Sequence, residues 1–359
     1  MPVPAWVPIR DDLREYEPYG APQIPDVVNL NVNENPYGPS PQVAADIAES
    51  VRQVASGLNR YPDREALELR AALASYLGHG LTADGVWAAN GSNEVMLQVL
   101  QAFGGPGRTA LSFAPTYSMY PEYARDTHTA WVTGRRDDDF GIDVDKAVAL
   151  VREVRPDVVI LTSPNNPTGT ALPLSTVRAV LDAAPGVVVV DEAYGEFRRD
   201  GTPSALELLD DFPRLLVCRT MSKAFALAGG RLGYVAADRG IIDALRVVRL
   251  PYHLSAVTQA VALAALRHSD ELLARVDELR HSRDELSTWL TAHGLVVAES
   301  DANFVLFGTF ADRHAVWQGL VDRGVLIRET GPDGWLRVSV GTPAEMELFY
   351  QAMLEVVAQ

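Results

Sequence analysis

Val187-Val188-Val189-Val190-Asp191-Glu192-Ala193-Tyr194 is the stretch on which the fold turns. An unbroken run of β-branched apolar residues suits a short strand covered on both faces, whereas a strand with one wet face would alternate with polar residues. The run stops at a carboxylate, so Asp191 lies at the rim of a buried sheet. Two other runs behave alike. Val158 to Leu161 leads into Ser163-Pro164-Asn165-Asn166-Pro167-Thr168-Gly169, and Leu215 to Cys218 leads into Arg219-Thr220-Met221-Ser222-Lys223. Helical stretches separate the three, the alternation of βαβ units and therefore of a mostly parallel sheet between helices. Ligands gather at the carboxyl ends of such strands.

Outward from this centre the texture changes twice. Residues 1 to about 40 are rich in proline and lack a sustained hydrophobic period, which predicts an extended arm. Helical spacing runs from Pro41 to about Val54 and from Glu65 to Leu77, with Asp63 placed to cap the second helix. Beyond Pro251, the residues Leu272, Leu273, Val276, Leu279, Leu286, Trp289 and Leu290 mark one face of a long helix. Strand candidates Asn303 to Phe307, Val325 to Arg328 and Trp335 to Val340 then suggest a small α+β unit.

Composition narrows the function. The 359 residues are 47% hydrophobic and 22% charged, an ordinary globular balance. A formal net charge of -16 repels phosphate backbones and anionic lipids, so neither nucleic acid nor membrane is the expected partner. No apolar run is long enough for a membrane span, the first residues lack a signal-peptide core, and a cytoplasmic location is expected. Cys218 is the single cysteine and sits in a strand run, where a buried residue is expected rather than a nucleophile. The histidines show no ligand spacing, so no metal site is assigned.

Chemistry enters with the loops. Lys223 follows Ser222 and precedes Arg231 by eight residues. An amine there can condense with an aldehyde, while hydroxyl and guanidinium can bind a phosphate dianion. Taken singly, Asp191 could cap a helix and Ser222-Lys223 could be solvated surface. Read together, the Ser-Pro-Asn-Asn-Pro-Thr-Gly, Val-Asp-Glu-Ala-Tyr and Ser-Lys-Ala-Phe…Gly-Gly-Arg motifs resemble fold-type I pyridoxal-5'-phosphate enzymes of the class I/II aminotransferase superfamily. Within it the chain is most similar to histidinol-phosphate aminotransferases. Leu30 to Pro36, Arg60-Tyr61-Pro62, Gly91 to Glu94, Pro115 to Tyr120, Pro251 to Ser255, Ala302 to Phe304 and Leu336 to Thr342 extend that likeness over nearly the whole chain.

The resemblance implies an α/β fold with a sheet of the seven-stranded type and a smaller α+β domain. The implied division is an arm and part of the small domain over 1–45, a large cofactor-binding domain over 46–258 and a small C-terminal domain over 259–359. It makes Lys223 the Schiff-base lysine of pyridoxal 5'-phosphate and Asp191 the partner of the pyridine nitrogen, keeping that nitrogen protonated. Asn166 and Tyr194 would bond the ring oxygen, and Tyr117 would stack on the ring. Ser92 and Asn93, with Ser222 and Arg231, would cup the phosphate. Tyr61 would reach the neighbouring subunit's cofactor, which implies a homodimer with shared active sites.

For substrate, the resemblance points to Arg337 and Arg328, because a guanidinium pairs equally with the carboxylate of glutamate and the phosphate of histidinol phosphate. Asn35 stands where some relatives carry a tyrosine and is expected at the substrate phosphate, with Tyr37 as its substitute. Gly230 replaces a larger apolar residue. The implied reaction transfers the amino group of L-histidinol phosphate to 2-oxoglutarate, reversibly, giving imidazole acetol phosphate and glutamate. An aromatic amino acid aminotransferase shares every cofactor motif and is the alternative; a decarboxylase on the same scaffold is a further one.

Overall fold

The computed structural model describes residues 3–357. The arm is irregular save for one turn of 3-10 helix, Asp11–Leu13, and ends in a short strand, β1 (Val28–Asn29). Seven strands then build the central sheet: β2 (Val86–Ala89), β3 (Thr109–Ala114), β4 (Ala130–Arg135), β5 (Val158–Thr162), β6 (Val187–Asp191), β7 (Leu215–Thr220) and β8 (Gly233–Ala237). Their spatial order is β2-β8-β7-β6-β5-β3-β4, and only β8 runs against its neighbours. The parallel sheet expected from the three apolar runs is therefore present.

Every residue of β5, β6 and β7 is buried. Alternate residues serve two different cores. Val159, Leu161, Val188, Val190, Leu215 and Val217 pack into one, while Val158, Ile160, Val187, Val189, Leu216 and Cys218 pack into the other. This is why the runs read as continuous apolar sequence rather than as alternation. Cys218 is buried, and burial pushes its thiol pKa well up, which makes it an inert core residue.

Downstream, β9 (Val296–Val297), β10 (Phe304–Gly308), β11 (Val325–Leu326), β12 (Arg328–Glu329) and β13 (Trp335–Ser339) follow. Four of them form an antiparallel sheet in the order β12-β13-β10-β9. The candidate strand Val325 to Arg328 divides, because β11 pairs in parallel with β1 of the arm whereas β12 pairs with β13. One apolar run thus serves two sheets, with Ile327 buried at the junction. The long helix spans Ser269–Ala292 and buries Leu272, Val276, Leu279, Leu286 and Leu290 as its period requires. It also buries Arg283, whose guanidinium donates to the Phe197 carbonyl and to Asp284.

The helix expected from Glu65 begins at Leu67, with Ala66 in the left-handed region as its N-cap. Asp63 still holds the entry turn: its carboxylate accepts from the backbone N–H of Glu65 and of Leu67, both at 2.9 Å.

Candidate active site

The carboxyl ends of β2, β3, β5, β6 and β7 share one edge of the sheet, and a cavity of about 300 Å³ opens there. Asp191 ends β6 and lines it. Its Oδ2 accepts from the Tyr120 hydroxyl at 2.8 Å and its Oδ1 from the Ala193 N–H at 3.0 Å. Burial pushes this carboxyl up to about 6, and those two hydrogen bonds pull the other way. Lys223 follows β7 and meets the same cavity. Its Nζ donates to the Val32 carbonyl at 2.8 Å. Burial first, and the neighbouring charges of Arg337 and Arg231 with it, lower this ammonium to about 8 against the opposing pull of Glu34. An amine so placed is neutral in about a tenth of molecules at pH 7, far more than an ordinary lysine, which suits a nucleophile or proton carrier.

An anion cradle lies beside these two groups. The helix Ser92–Phe103 starts at the cavity wall, so the N–H groups of its first turn and its dipole favour a negative ligand. Gly91, at φ +85°, precedes it; a Cβ there would come within 2.6 Å of the Arg231 guanidinium. Gly233 is more constrained still, since its Cβ would lie 2.1 Å from the Ser92 nitrogen. Both contacts need glycine, and both bring cationic or N–H groups to one point. Ser222 lines the same corner, its backbone N–H and hydroxyl both bonded to Thr220 Oγ1.

The opposite wall belongs to the small sheet. Arg337 on β13 is buried, donating through Nη1 to Asn166 Oδ1 and through Nη2 to the Asn31 carbonyl. Its Nε has no partner, and burial depresses its pKa to about 10. Arg328 on β12 stands directly across the strand pair from it and lines the cavity as well. Like charges in cross-strand register repel, so the pair favours an anion between them. The Tyr194 hydroxyl accepts from Asn33 Nδ2 at 2.9 Å, which leaves its own proton free to donate into the cavity. Burial raises its pKa despite Arg337 nearby.

Of the residues singled out from the sequence, eleven line this one cavity: Ser92, Asn93, Tyr117, Asn166, Asp191, Tyr194, Ser222, Lys223, Arg231, Arg328 and Arg337. Asn35 does not line the cavity. It points away from the cavity, accepting from the Tyr37 N–H and donating to the Ala224 carbonyl at 3.3 Å, so it braces the residue after Lys223. Tyr37 lies outside too, beneath the Arg275 guanidinium, and does not substitute for it. Tyr61 is 79% exposed and stacks on Tyr252, away from this chain's own cavity. Tyr120, Asn33, Thr162 and Tyr19 are site residues that the motifs missed. Tyr120 and Asn33 lay inside quoted segments, but nothing in their spacing showed which way they face.

A carboxylate, a softened amine, an anion cradle and two arginines surround one pocket, the set of groups that a site for amine chemistry on an anionic ligand requires. The chain belongs to the aminotransferase class I and II family, which matches residues 25–353. Its relatives include histidinol-phosphate aminotransferases. The one from Thermobifida fusca is 65% identical over 97% of this chain and 95% of its own length. Histidinol-phosphate aminotransferase 3 of Burkholderia lata is 59% identical over 98% and 96%. Among solved structures, the histidinol-phosphate aminotransferase of Sinorhizobium meliloti in complex with pyridoxal-5'-phosphate superposes with a TM-score of 0.82 at 28% identity, covering 92% of this chain and 91% of that one.

Proposed function

We propose that this chain binds pyridoxal 5'-phosphate and catalyses the reversible transfer of the amino group of L-histidinol phosphate to 2-oxoglutarate. The observation that carries the reading is the Arg328–Arg337 pair facing the same cavity as Lys223 and Asp191. Two guanidinium groups beside a cofactor site suit a substrate whose far end is a phosphate in one half-reaction and a carboxylate in the other. Relatives at 65% and 59% identity bear the corresponding name, which favours this substrate over an aromatic amino acid.

The residues fit the cofactor. The glycine-lined cradle at Ser92 and Asn93, with Ser222 and Arg231, would hold its phosphate, and the buried Asp191 would face its ring nitrogen. Asn166 and Tyr194 would bond the ring oxygen, and Tyr117 would cover a ring face. Bound there, the cofactor supplies an electron sink for the pair released when the substrate's α-proton leaves. Lys223, neutral once deprotonated, takes that proton at Nζ and returns it on the other side of the reaction. Arg337 and Arg328 orient the substrate so that the departing proton faces Lys223. Tyr61 would complete the neighbouring site in a homodimer, a role suited to its exposure here.

The test compares kcat/KM for histidinol phosphate with that for phenylalanine, each with 2-oxoglutarate. A preference of at least about a hundredfold for the phosphate ester is expected from losing a charge-assisted contact; parity or reversal sinks the substrate assignment.

A further inference from the structure

Asp191 is served by a chain of buried hydroxyls that no part of the reaction above uses. Tyr120 lies on the helix Met119–Asp126 with its side chain wholly buried, the ring in the second hydrophobic core. A phenylalanine would serve the packing. The hydroxyl instead touches two oxygens, Asp191 Oδ2 at 2.8 Å and Thr162 Oγ1 at 3.0 Å.

Asn165 Nδ2 donates to the Pro115 carbonyl and to Thr168 Oγ1, which fixes its amide with Oδ1 toward Thr116. The Thr116 hydroxyl donates to that oxygen at 3.2 Å. Its own oxygen is 3.2 Å from Thr162 Oγ1. A carboxylate oxygen only accepts, so the single phenol proton goes to Asp191. The single Thr162 proton then has two acceptors in reach, Thr116 Oγ1 at 3.2 Å and the phenol oxygen at 3.0 Å, and the shorter contact favours the phenol. Burial drives the phenol pKa well above its ordinary value, so the proton stays on Tyr120. The result is a series of donors, Thr162 to Tyr120 to Asp191, that crosses from β5 to β6 along the cavity wall.

We propose that Tyr120 is a positioning residue for the reaction: its hydroxyl, oriented by Thr162, donates to Asp191 Oδ2 and presents the carboxylate, ionised and in one orientation, to the cofactor's ring nitrogen. The Ala193 N–H secures the other oxygen from outside the sheet, and the pair of donors offsets part of what burial costs the charge. Without the phenol proton, Oδ2 would face Thr162 across a gap and the carboxylate would hold its negative charge less well. This rests on the reading that pyridoxal 5'-phosphate occupies the site.

The experiment loads wild type, Tyr120→Phe, Thr162→Val and Thr162→Ser with pyridoxal 5'-phosphate labelled with nitrogen-15 in the ring, and follows the nitrogen's chemical shift against pH. In Tyr120→Phe the ring-nitrogen titration should fall by about one pH unit, since one such unit corresponds to the loss of a single good hydrogen bond. Turnover should drop about tenfold by the same reckoning, with KM for histidinol phosphate little changed. Thr162→Val should move the nitrogen the same way by less, and Thr162→Ser, which keeps the hydroxyl, should restore it. A purely structural tyrosine would lower stability and leave the nitrogen unmoved in loaded enzyme; that result overturns the proposal. Should Tyr120→Phe fail to fold, the Thr162 pair decides, because equal nitrogen titrations in Val and Ser variants also overturn it. A wild type that takes up no cofactor sinks the function reading itself, whereas an unmoved nitrogen in a loaded variant sinks only the role of Tyr120.

Discussion

Asp191 and Glu192 are consecutive carboxylates at the end of one strand, both buried, and the protein treats them in opposite ways. Glu192 turns into the packed side of the sheet, where Oε2 accepts from Arg219 Nη2 at 2.6 Å and from Ser204 at 2.8 Å, and Oε1 from the Ala205 N–H at 2.7 Å and from Arg198. Burial alone would raise its pKa, yet Arg219 and Arg198 outweigh it and leave it below the ordinary carboxylate range. Among the described residues Asp191 has no cation to pair with, only two neutral donors, and it stands at about 6. Glu192 has its counter-charge inside the fold; Asp191 faces a cavity shaped for one that arrives from outside. The same contrast separates the arginines. Arg219 is saturated by Glu192, Glu196 and Ser204, whereas Arg337 retains an unpartnered Nε and Arg328 faces the cavity.

The sharpest way to break this contrast is to make each carboxylate an amide. Asp191→Asn should lower kcat by about a thousandfold, as loss of a matched acid–base partner does, while the cofactor-free protein loses no stability. Glu192→Gln should do the reverse, costing about 3 kcal/mol in denaturant unfolding because it leaves buried arginines undercompensated, with turnover largely preserved in the folded fraction. If Glu192→Gln abolishes turnover at full stability, the division between the two is wrong.

A smaller effect follows from pH. In cofactor-free protein the folded Asp191 titrates near 6 against an ordinary 3.8, so its stabilising contribution is complete below about 3.8 and lost as pH rises through 6. Lys223 titrates near 8 against 10.5, so its penalty is complete below about 8 and relieved as pH climbs toward 10.5. Both groups therefore strain the cofactor-free fold between about pH 6 and 8. Comparing urea unfolding at pH 4 and pH 7, Asp191→Asn should gain on wild type by up to about 3 kcal/mol. No gain would mean that Asp191 already has a counter-charge in the fold.

The least effect belongs to the open arginines. Arg328→Ala should raise KM for histidinol phosphate about tenfold and change unfolding free energy by no more than about 0.5 kcal/mol. A marked loss of stability would place Arg328 with Arg219 as a structural cation.

How much of this was legible follows the same line. The three strands announced themselves because both faces of β5, β6 and β7 are covered, and motifs at their ends carried Asp191, Asn166 and Lys223 to one cavity. What stayed hidden depends on contacts between distant segments. The partnership of Asn33 with Tyr194 joins the arm to the sheet across 161 positions, and Asn35 faces away because Ala224 is its neighbour. Val325 to Arg328 split because the arm supplies a strand partner that its own composition does not reveal. Arg283 reads as a charge on an amphipathic helix and is buried because Phe197 and Asp284 meet it there.

The alternation of β6 between two cores has one last consequence. Val187 and Val189 face the core that holds Tyr120, and Val188 and Val190 face the other; Asp191 and Glu192 continue that beat, one toward Tyr120 and the next toward Ser204 and Arg219. Length, not only identity, therefore encodes the chemistry. Deleting one valine would leave three valines still able to pair, yet would slide Glu192 into the place of Asp191, Asp191 into that of Val190, and each side chain after the deletion to the opposite face. Exchanges among valine, isoleucine and leucine are open to this strand; insertions and deletions are closed to it.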